Sequence, residues 1–234
     1  MLLSAMHWAQ VESYLQTDDR IILPLGSTEQ HAYLSLATDT ILAGKIAEDV
    51  AAPLGVLVVP TLPYGITPYF RAYPGTISLR AASYIAVVRD ILDELYTTGF
   101  RRVLVVNGHG GNSPARVALD EWICERHGAR GRWHDWWSAP QTMVAVQQID
   151  AIASHASWME SFPWTRLPDV PQPDAQKPLV DTVRLRQFGP SELRAALGDG
   201  SYGGRYQRAD DEMLQIWQVA VAETTAALQS IGAD

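Results

Sequence analysis

Arg102-Val103-Leu104-Val105-Val106-Asn107-Gly108-His109-Gly110-Gly111-Asn112 decides the fold. An unbroken apolar run from Val103 to Val106 is the pattern of a strand buried on both faces, as parallel sheets require. It breaks at an Asn-Gly step and passes into a helical pattern that runs to about His127. Upstream, Tyr84 to Thr98 carries Ile85, Val88, Leu92 and Leu95 at helical spacing, with Ser83 as the expected N-cap and Gly99 as the stop. Helix, buried strand, polar turn and helix make the rhythm of an α/β chain.

The rhythm continues outward in both directions. Ile21 to Gly26 and Val56 to Pro60 read as buried strands, Thr76 to Leu79 as a short third, and Arg130 to Trp137 as another. Asp39 to Ala52 has Ile41, Leu42, Ile46 and Val50 at helical spacing. A last helix is expected from Asp210 to Ile231, its opening Asp210-Asp211-Glu212 suited to the positive end of the dipole. Residues 163–178, rich in proline, and 198–204, rich in glycine, read as loops. The expected fold is α/β, a three-layer α/β/α arrangement with a mostly parallel sheet, in one domain over residues 1–234.

Composition narrows the function. With 47% hydrophobic residues in 234, there is ample material for a core. A formal charge of −8 argues against nucleic-acid or anionic-membrane partners, which select basic surfaces. The single cysteine, Cys124, cannot form an internal disulfide and is expected to pack in its helix. There is no signal-peptide pattern at the N-terminus and no run near the roughly 18 apolar residues of a membrane span, which predicts a cytoplasmic protein.

Open parallel sheets bind ligands beyond the carboxyl ends of their strands. Two polar clusters fall there: Ser27-Thr28-Glu29-Gln30-His31 after one strand, and Asn107 to Asn112 after another. Glu29 and His31 point the same way in an extended loop, and Asp39 opens the following helix. His109 lies among glycines that let a ligand approach closely, while His155 and Glu160 flank Ala156-Ser157-Trp158-Met159. Three carboxylates and three imidazoles suit Zn²⁺ or Mn²⁺, and a carboxylate bridging two ions would let them share a water as nucleophile. Taken singly, a strand-end His is usually a cap and a Glu before a helix a dipole partner. Their joint placement favours the metal reading.

Other features carry less. Gly108-His109-Gly110-Gly111 lacks the spacing of a dinucleotide loop, and neither Ser27 nor Ser78 sits in a nucleophile elbow. Trp133, Trp136 and Trp137 read as core and subunit contact, with stacking on a planar substrate as the alternative. Tyr202, Arg205 and Tyr206 belong either to a mobile loop or to a lid or oligomer contact, and His7 and His127 read as exposed.

Gly26-Ser27-Thr28-Glu29-Gln30-His31 with Thr38-Asp39, and Val106 to Asn112, resemble the two signature segments of the creatininase (creatinine amidohydrolase) family. Tyr73-Pro74-Gly75-Thr76 resembles its PGT loop, and His155 to Ser161 its H-A-G-E-x-E-T segment. The resemblance implies a metal-dependent hydrolase that opens a C–N amide-type bond of a small molecule. It implies two divalent ions per subunit, Zn²⁺ and/or Mn²⁺: Glu29 and His109 on one, His31 and Glu160 on the other, Asp39 bridging. His155, beside Glu160, is then the expected catalytic acid, and Asn107 and Asn112 brace the His109 turn. A homo-oligomer, a hexamer being one form, is also implied.

Three departures bear on substrate. The segment Ala32 to Thr38 is one residue shorter than the family's, which brings Tyr33 forward as an expected pocket wall. Creatininase proper has a Glu where this chain has Gly111, and a Trp-Asp pair where this chain has Ala151-Ile152. Creatinine is therefore not the expected substrate. Two alternatives stay open: the same architecture acting on a lactone or C–C bond of an oxidised sugar or cyclitol, and a non-catalytic metal-binding protein.

Overall fold

The computed structural model describes residues 1–232. Helix α1 (Trp8–Tyr14) precedes β1 (Arg20–Leu25), α2 (Thr38–Leu54) and the two-residue β2 (Leu57–Val58). Then come α3 (Ala81–Thr98), β3 (Arg102–Asn107), α4 (Arg116–Glu125), β4 (Arg130–Asp135) and α5 (Pro140–Ile149). The last third holds β5 (Gln176–Lys177), α6 (Thr182–Leu185), α7 (Pro190–Leu197), β6 (Gly204–Arg205) and α8 (Asp210–Gln229).

Strands β2, β1, β3 and β4 lie side by side in that order, every pair parallel. The side-chain alternation of β1 and β3 divides the core. Ile22, Leu104 and Val106 pack with residues of α2, α5 and α8, whereas Ile21, Leu23, Val103 and Val105 pack with α3 and α4. These are the three layers the apolar runs predict, and each fully buried Ile or Leu contributes about 1.5–3 kcal/mol. Pro24 sits in the second strand of the order, where a missing N–H would normally be costly. Its carbonyl accepts from Leu62 N (3.1 Å), on the side where β2 has already ended.

Sheet order also locates the site. From β1 the chain crosses to β2 on one side and then to β3 on the other, so the strand order reverses between β1 and β3. Leu25, Asn107 and Asp135 stand in one register row at the carboxyl edge. The loops that follow them open onto the same end of the sheet. A third apolar cluster, Phe70 and Tyr73 with Leu185, Leu193 and Leu197, ties α6 and α7 to the 68–70 turn.

Several expectations are corrected. Thr76 to Leu79 is not a sheet strand: Ile77 and Ser78 make single bridges to Thr28 and Gly65, and the Ile77 side chain is exposed, so this is rim loop. The expected strand Val56 to Pro60 keeps only β2 in ladder register. Helix α3 begins at Ala81 with Arg80 as its cap residue, so Ser83, the expected N-cap, lies inside its first turn. Cys124 is exposed, because α4 turns Leu119 and Trp122 inward instead. Helices α1, α5, α6 and α7 stand in segments where the sequence pattern predicts no helix. His7 and His127 are exposed, as expected.

Close backbone approach at the strand ends is what lets α2 start where it does. A Cβ on Gly26 would stand 2.5 Å from Thr40 Cα, and one on Gly108 would stand 2.5 Å from the Asp39 carbonyl oxygen. Gly26→Ala and Gly108→Ala are each expected to destabilise the protein by about 1–3 kcal/mol in urea unfolding. Exposed Val144→Ala is expected to stay within about 0.5 kcal/mol.

Candidate metal centre

Six side chains drawn from four segments meet at the carboxyl edge of the sheet. Glu29 and His31 come from the loop after β1, Asp39 from the first turn of α2, and His109 from the turn after β3. His155 and Glu160 come from the segment between α5 and β5. Glu29, His31, Asp39 and His109 are all buried.

Asp39 is the hub. Its Oδ1 lies 3.0 Å from His31 Nε2 and its Oδ2 lies 3.0 Å from His109 Nδ1. Glu29 Oε1 lies 3.4 Å from His109 Nδ1 and 3.8 Å from His155 Nδ1, and Glu160 Oε2 lies 3.9 Å from His31 Nε2. Ligand atoms therefore gather in overlapping groups, Glu29–Asp39–His109 and His31–Asp39–Glu160, with Asp39 common to both. A further group joins His155 to Glu29 and His31. Asp150, the other carboxylate near this segment, is paired with Arg208 at 2.7 Å and takes no part.

The surrounding hydrogen bonds aim the ligands. His31 donates from Nδ1 to the Glu29 carbonyl oxygen (3.2 Å), which turns Nε2 inward. His109 donates from Nε2 to the Ile66 carbonyl oxygen (3.0 Å), which turns Nδ1 inward. Outer partners of this kind fix the tautomer and orientation of metal-binding histidines. Ser27 Oγ donates to Asp39 Oδ2 (2.8 Å). Asn107 donates to the His109 carbonyl and accepts from the His109 N–H, while Asn112 donates to Asn107 and to the Gly26 carbonyl. The two asparagines brace the His109 turn, as the sequence reading expects.

Backbone strain is concentrated at the same place. Among the described residues the non-glycine positions with positive φ are Ala32 (50°) and Ala156 (54°), each one residue after a site histidine. A left-handed alanine costs on the order of 1–2 kcal/mol. At Ala156 that conformation directs the N–H onto Glu160 Oε2 at 2.6 Å.

Electrostatics show why the cluster suits a cation. Burial pushes Glu29 up, and pushes Glu160 up to about 7. Burial opposes charge on His31 and His109, yet the facing carboxylates prevail and raise them to about 10 and about 9. Burial acts against Asp39 too, but the two imidazoles hold it below the usual carboxylate range. His155 is pushed down by burial and by the His31 charge beside it. Glu29 Oε2 and His31 Nε2 are buried without a hydrogen-bond partner. Buried carboxylates and imidazoles with unsatisfied inward atoms fit a divalent ion, and the O/N donor set fits Zn²⁺ or Mn²⁺.

The centre forms the floor of a cavity of about 660 Å³. Its walls include Tyr69, Phe70, Trp137, Met143, Phe188 and Tyr202. Of the three tryptophans, Trp133 and Trp136 are buried in opposite halves of the core and only Trp137 lines the cavity. Tyr33 does not line it; the ring packs edge-on against Tyr206 at 5.4 Å instead. Tyr202 covers His155, ring centroids 5.0 Å apart, while Tyr206 is buried and donates to Asp199 at 2.6 Å. Gln30, inside the first motif but not singled out, reaches both His155 Nε2 (2.9 Å) and the Gly200 carbonyl (3.1 Å). Nothing local in the sequence signals those partners, nor the aromatic walls.

A family model described as creatinine amidohydrolase matches residues 4–228. The chain belongs to the creatininase family. It is 32% identical over 119 residues to a 3-dehydro-scyllo-inosose hydrolase of Thermotoga maritima, covering 50% of this chain and 38% of that one. It is 34% identical over 113 residues to the creatinine amidohydrolase of Pseudomonas putida (45% and 44%). It is 33% identical over 105 residues to a mycofactocin precursor peptide peptidase of Mycolicibacterium smegmatis (42% of each). These alignments span less than half the length of the curated relatives. The fold extends further: a mutant creatininase complexed with creatine superposes with a TM-score of 0.81 over 98% of this chain and 97% of that one, at 22% identity. A creatininase structure designated Mn gives 0.77 over 98% and 97%, at 24% identity.

Gly111 lies two residues after His109, in the turn that follows β3. A Cβ there would stand 2.0 Å from the Ile66 carbonyl oxygen and 2.4 Å from His109 Nε2, so the position accepts no side chain.

A pH dependence follows from the raised histidines. A group whose folded pKa exceeds its unfolded value, 6.5 for His, stabilises fully below that value and loses the contribution as pH climbs through the folded one. Chelator-treated protein is therefore expected to lose thermal stability as pH rises from about 6.5 to about 10. His31→Gln/His109→Gln is expected to flatten that slope, as read by melting temperature against pH.

Proposed function

We propose that this chain is a metal-dependent hydrolase that cleaves a C–N amide-type bond of a small molecule. The observation that carries the reading is Asp39, shared by two groups of ligand atoms on opposite sides of its carboxylate. Glu29 and His109 with Asp39 would hold one divalent ion, and His31 and Glu160 with Asp39 the other. Bound ions of this kind polarise a carbonyl and lower the pKa of water.

The chain's own residues supply the rest. The apolar walls exclude bulk water from the floor. His155 stands at the edge of the ligand cluster, with Nδ1 turned toward Glu29 and Nε2 held by Gln30. Gln30 Oε1 accepts from Ala32 N (3.1 Å) and its amide nitrogen donates to Gly200 O, so the amide N–H₂ faces His155 Nε2 and the imidazole is neutral with its proton on Nδ1. His155 is thus a hydrogen-bond donor at Nδ1 in the resting protein, not a preloaded imidazolium. As a proton carrier, His155 would accept the proton released by the attacking water and pass it to the leaving nitrogen.

A second reading draws on the name of the Thermotoga relative, an inosose hydrolase. A polyhydroxylated ring would need many hydrogen-bond partners, and Phe70, Met143, Leu185 and Phe188 offer none. Release of an amine or ammonia separates the two readings.

Elemental analysis of untagged protein is expected to find about two divalent ions per chain, both lost in Asp39→Ala. His155→Ala is expected to keep the metal while kcat for an amide substrate falls by about 10²–10⁴. Failure to bind Zn²⁺ or Mn²⁺ at all would overturn the mechanism.

A further inference from the structure

The cavity is larger and more lopsided than hydrolysis of a small cyclic amide calls for. At about 660 Å³ it falls in the middle of the roughly 300–1,000 Å³ range of sites for drug-sized ligands. All its carboxylates lie on the floor, in the metal cluster. Above them come aromatic and aliphatic walls, with Phe70, Leu185 and Leu193 contributed by the small apolar cluster that joins α6 and α7 to the 68–70 turn.

Arg186, immediately after α6, is the single Lys or Arg among the residues that line the cavity. Its side chain is exposed whereas the floor is buried, so it stands on the rim. Among the described residues its guanidinium has no ion-pair or hydrogen-bond partner. Its charge is nonetheless felt by Tyr69 and Tyr202, whose hydroxyls also feel Glu29 on the floor. Both tyrosines line the same cavity, Tyr202 beside the His155 ring. A free guanidinium offers a planar fork of donors matched to an oxyanion.

We infer that the substrate is an amide joined to an apolar or aromatic body that ends in an oxyanion, a carboxylate or a phosphate, held by Arg186 at the cavity mouth. This rests on the amide-hydrolase reading above for which end reacts. The floor receives the amide, the walls receive the body, and Arg186 sets the length and charge of what fits.

Calorimetric titration of the metal-loaded full chain with three non-hydrolysable probes tests it: 3-phenylpropanoate, phenyl phosphate and the neutral 3-phenylpropan-1-ol. At least one anion is expected to bind about tenfold more tightly than the alcohol, with the stronger of the two naming the oxyanion. In Arg186→Gln that preference is expected to fall below about twofold while the alcohol binds as before. An equal preference in Arg186→Gln would place anion recognition on the floor and overturn the assignment, as would no preference in the unaltered protein. Because binding is read without turnover, failure of the amide reading appears separately, as no amine released from amide substrates while the Arg186-dependent preference stands.

Discussion

Asp39, held 3.0 Å from an imidazole on either side, is the contact on which the rest of the site depends. A carboxylate in a buried position is stable only where positive charge faces it, and two partners at opposite oxygens satisfy both ends. The helix it opens adds to this, since the first turn of α2 presents the positive end of its dipole. Placing Asp39 there requires α2 to start against the backbones of Gly26 and Gly108, where no side chain fits. The two strand-end glycines and the hub carboxylate are thus one constraint. Moving any of them separates the two groups of ligand atoms.

Around that hub the chain separates rigidity from adaptability. The floor is braced by backbone carbonyls on the outer ring nitrogens, by Ser27, and by the Asn107–Asn112 pair that links three loops. Left-handed alanines after His31 and His155 store strain in the two loops that deliver those rings. The walls are different in kind. They come from the 68–70 turn, from Trp137 and Met143 after β4, from α6 and α7, and from Tyr202 just before β6. Family members named for different substrates fit such a division, with a shared floor and walls free to vary.

The sequence reading succeeds where chemistry is local. The buried strands β1 and β3 are legible as apolar runs, and the motifs that follow them deliver four of the six site residues. It fails where an element is short or is held by distant partners. Helices α6 and α7 carry weak patterns of their own and are kept by packing on Phe70 and Tyr73. Thr76 to Leu79 has strand-like composition, yet its neighbours are loop residues, so it stays on the rim. Tyr33 and Cys124 are misplaced for a related reason: burial depends on which way a loop or helix face turns. Gln30 lies inside the motif, but its role depends on His155, 125 positions away.

Residue order by itself determines the parallel α/β layering and the ligand chemistry, because apolar runs, glycine turns and acid–imidazole motifs act over a few neighbouring residues. Tertiary structure alone decides how Gln30 and Tyr202 hold His155 over the floor, that Trp137 rather than Tyr33 faces the cavity, and that Arg186 stands at its mouth without an ion-pair partner among the described residues. Those outcomes depend on distances between segments far apart in the chain, and such distances are set by the packing of whole layers.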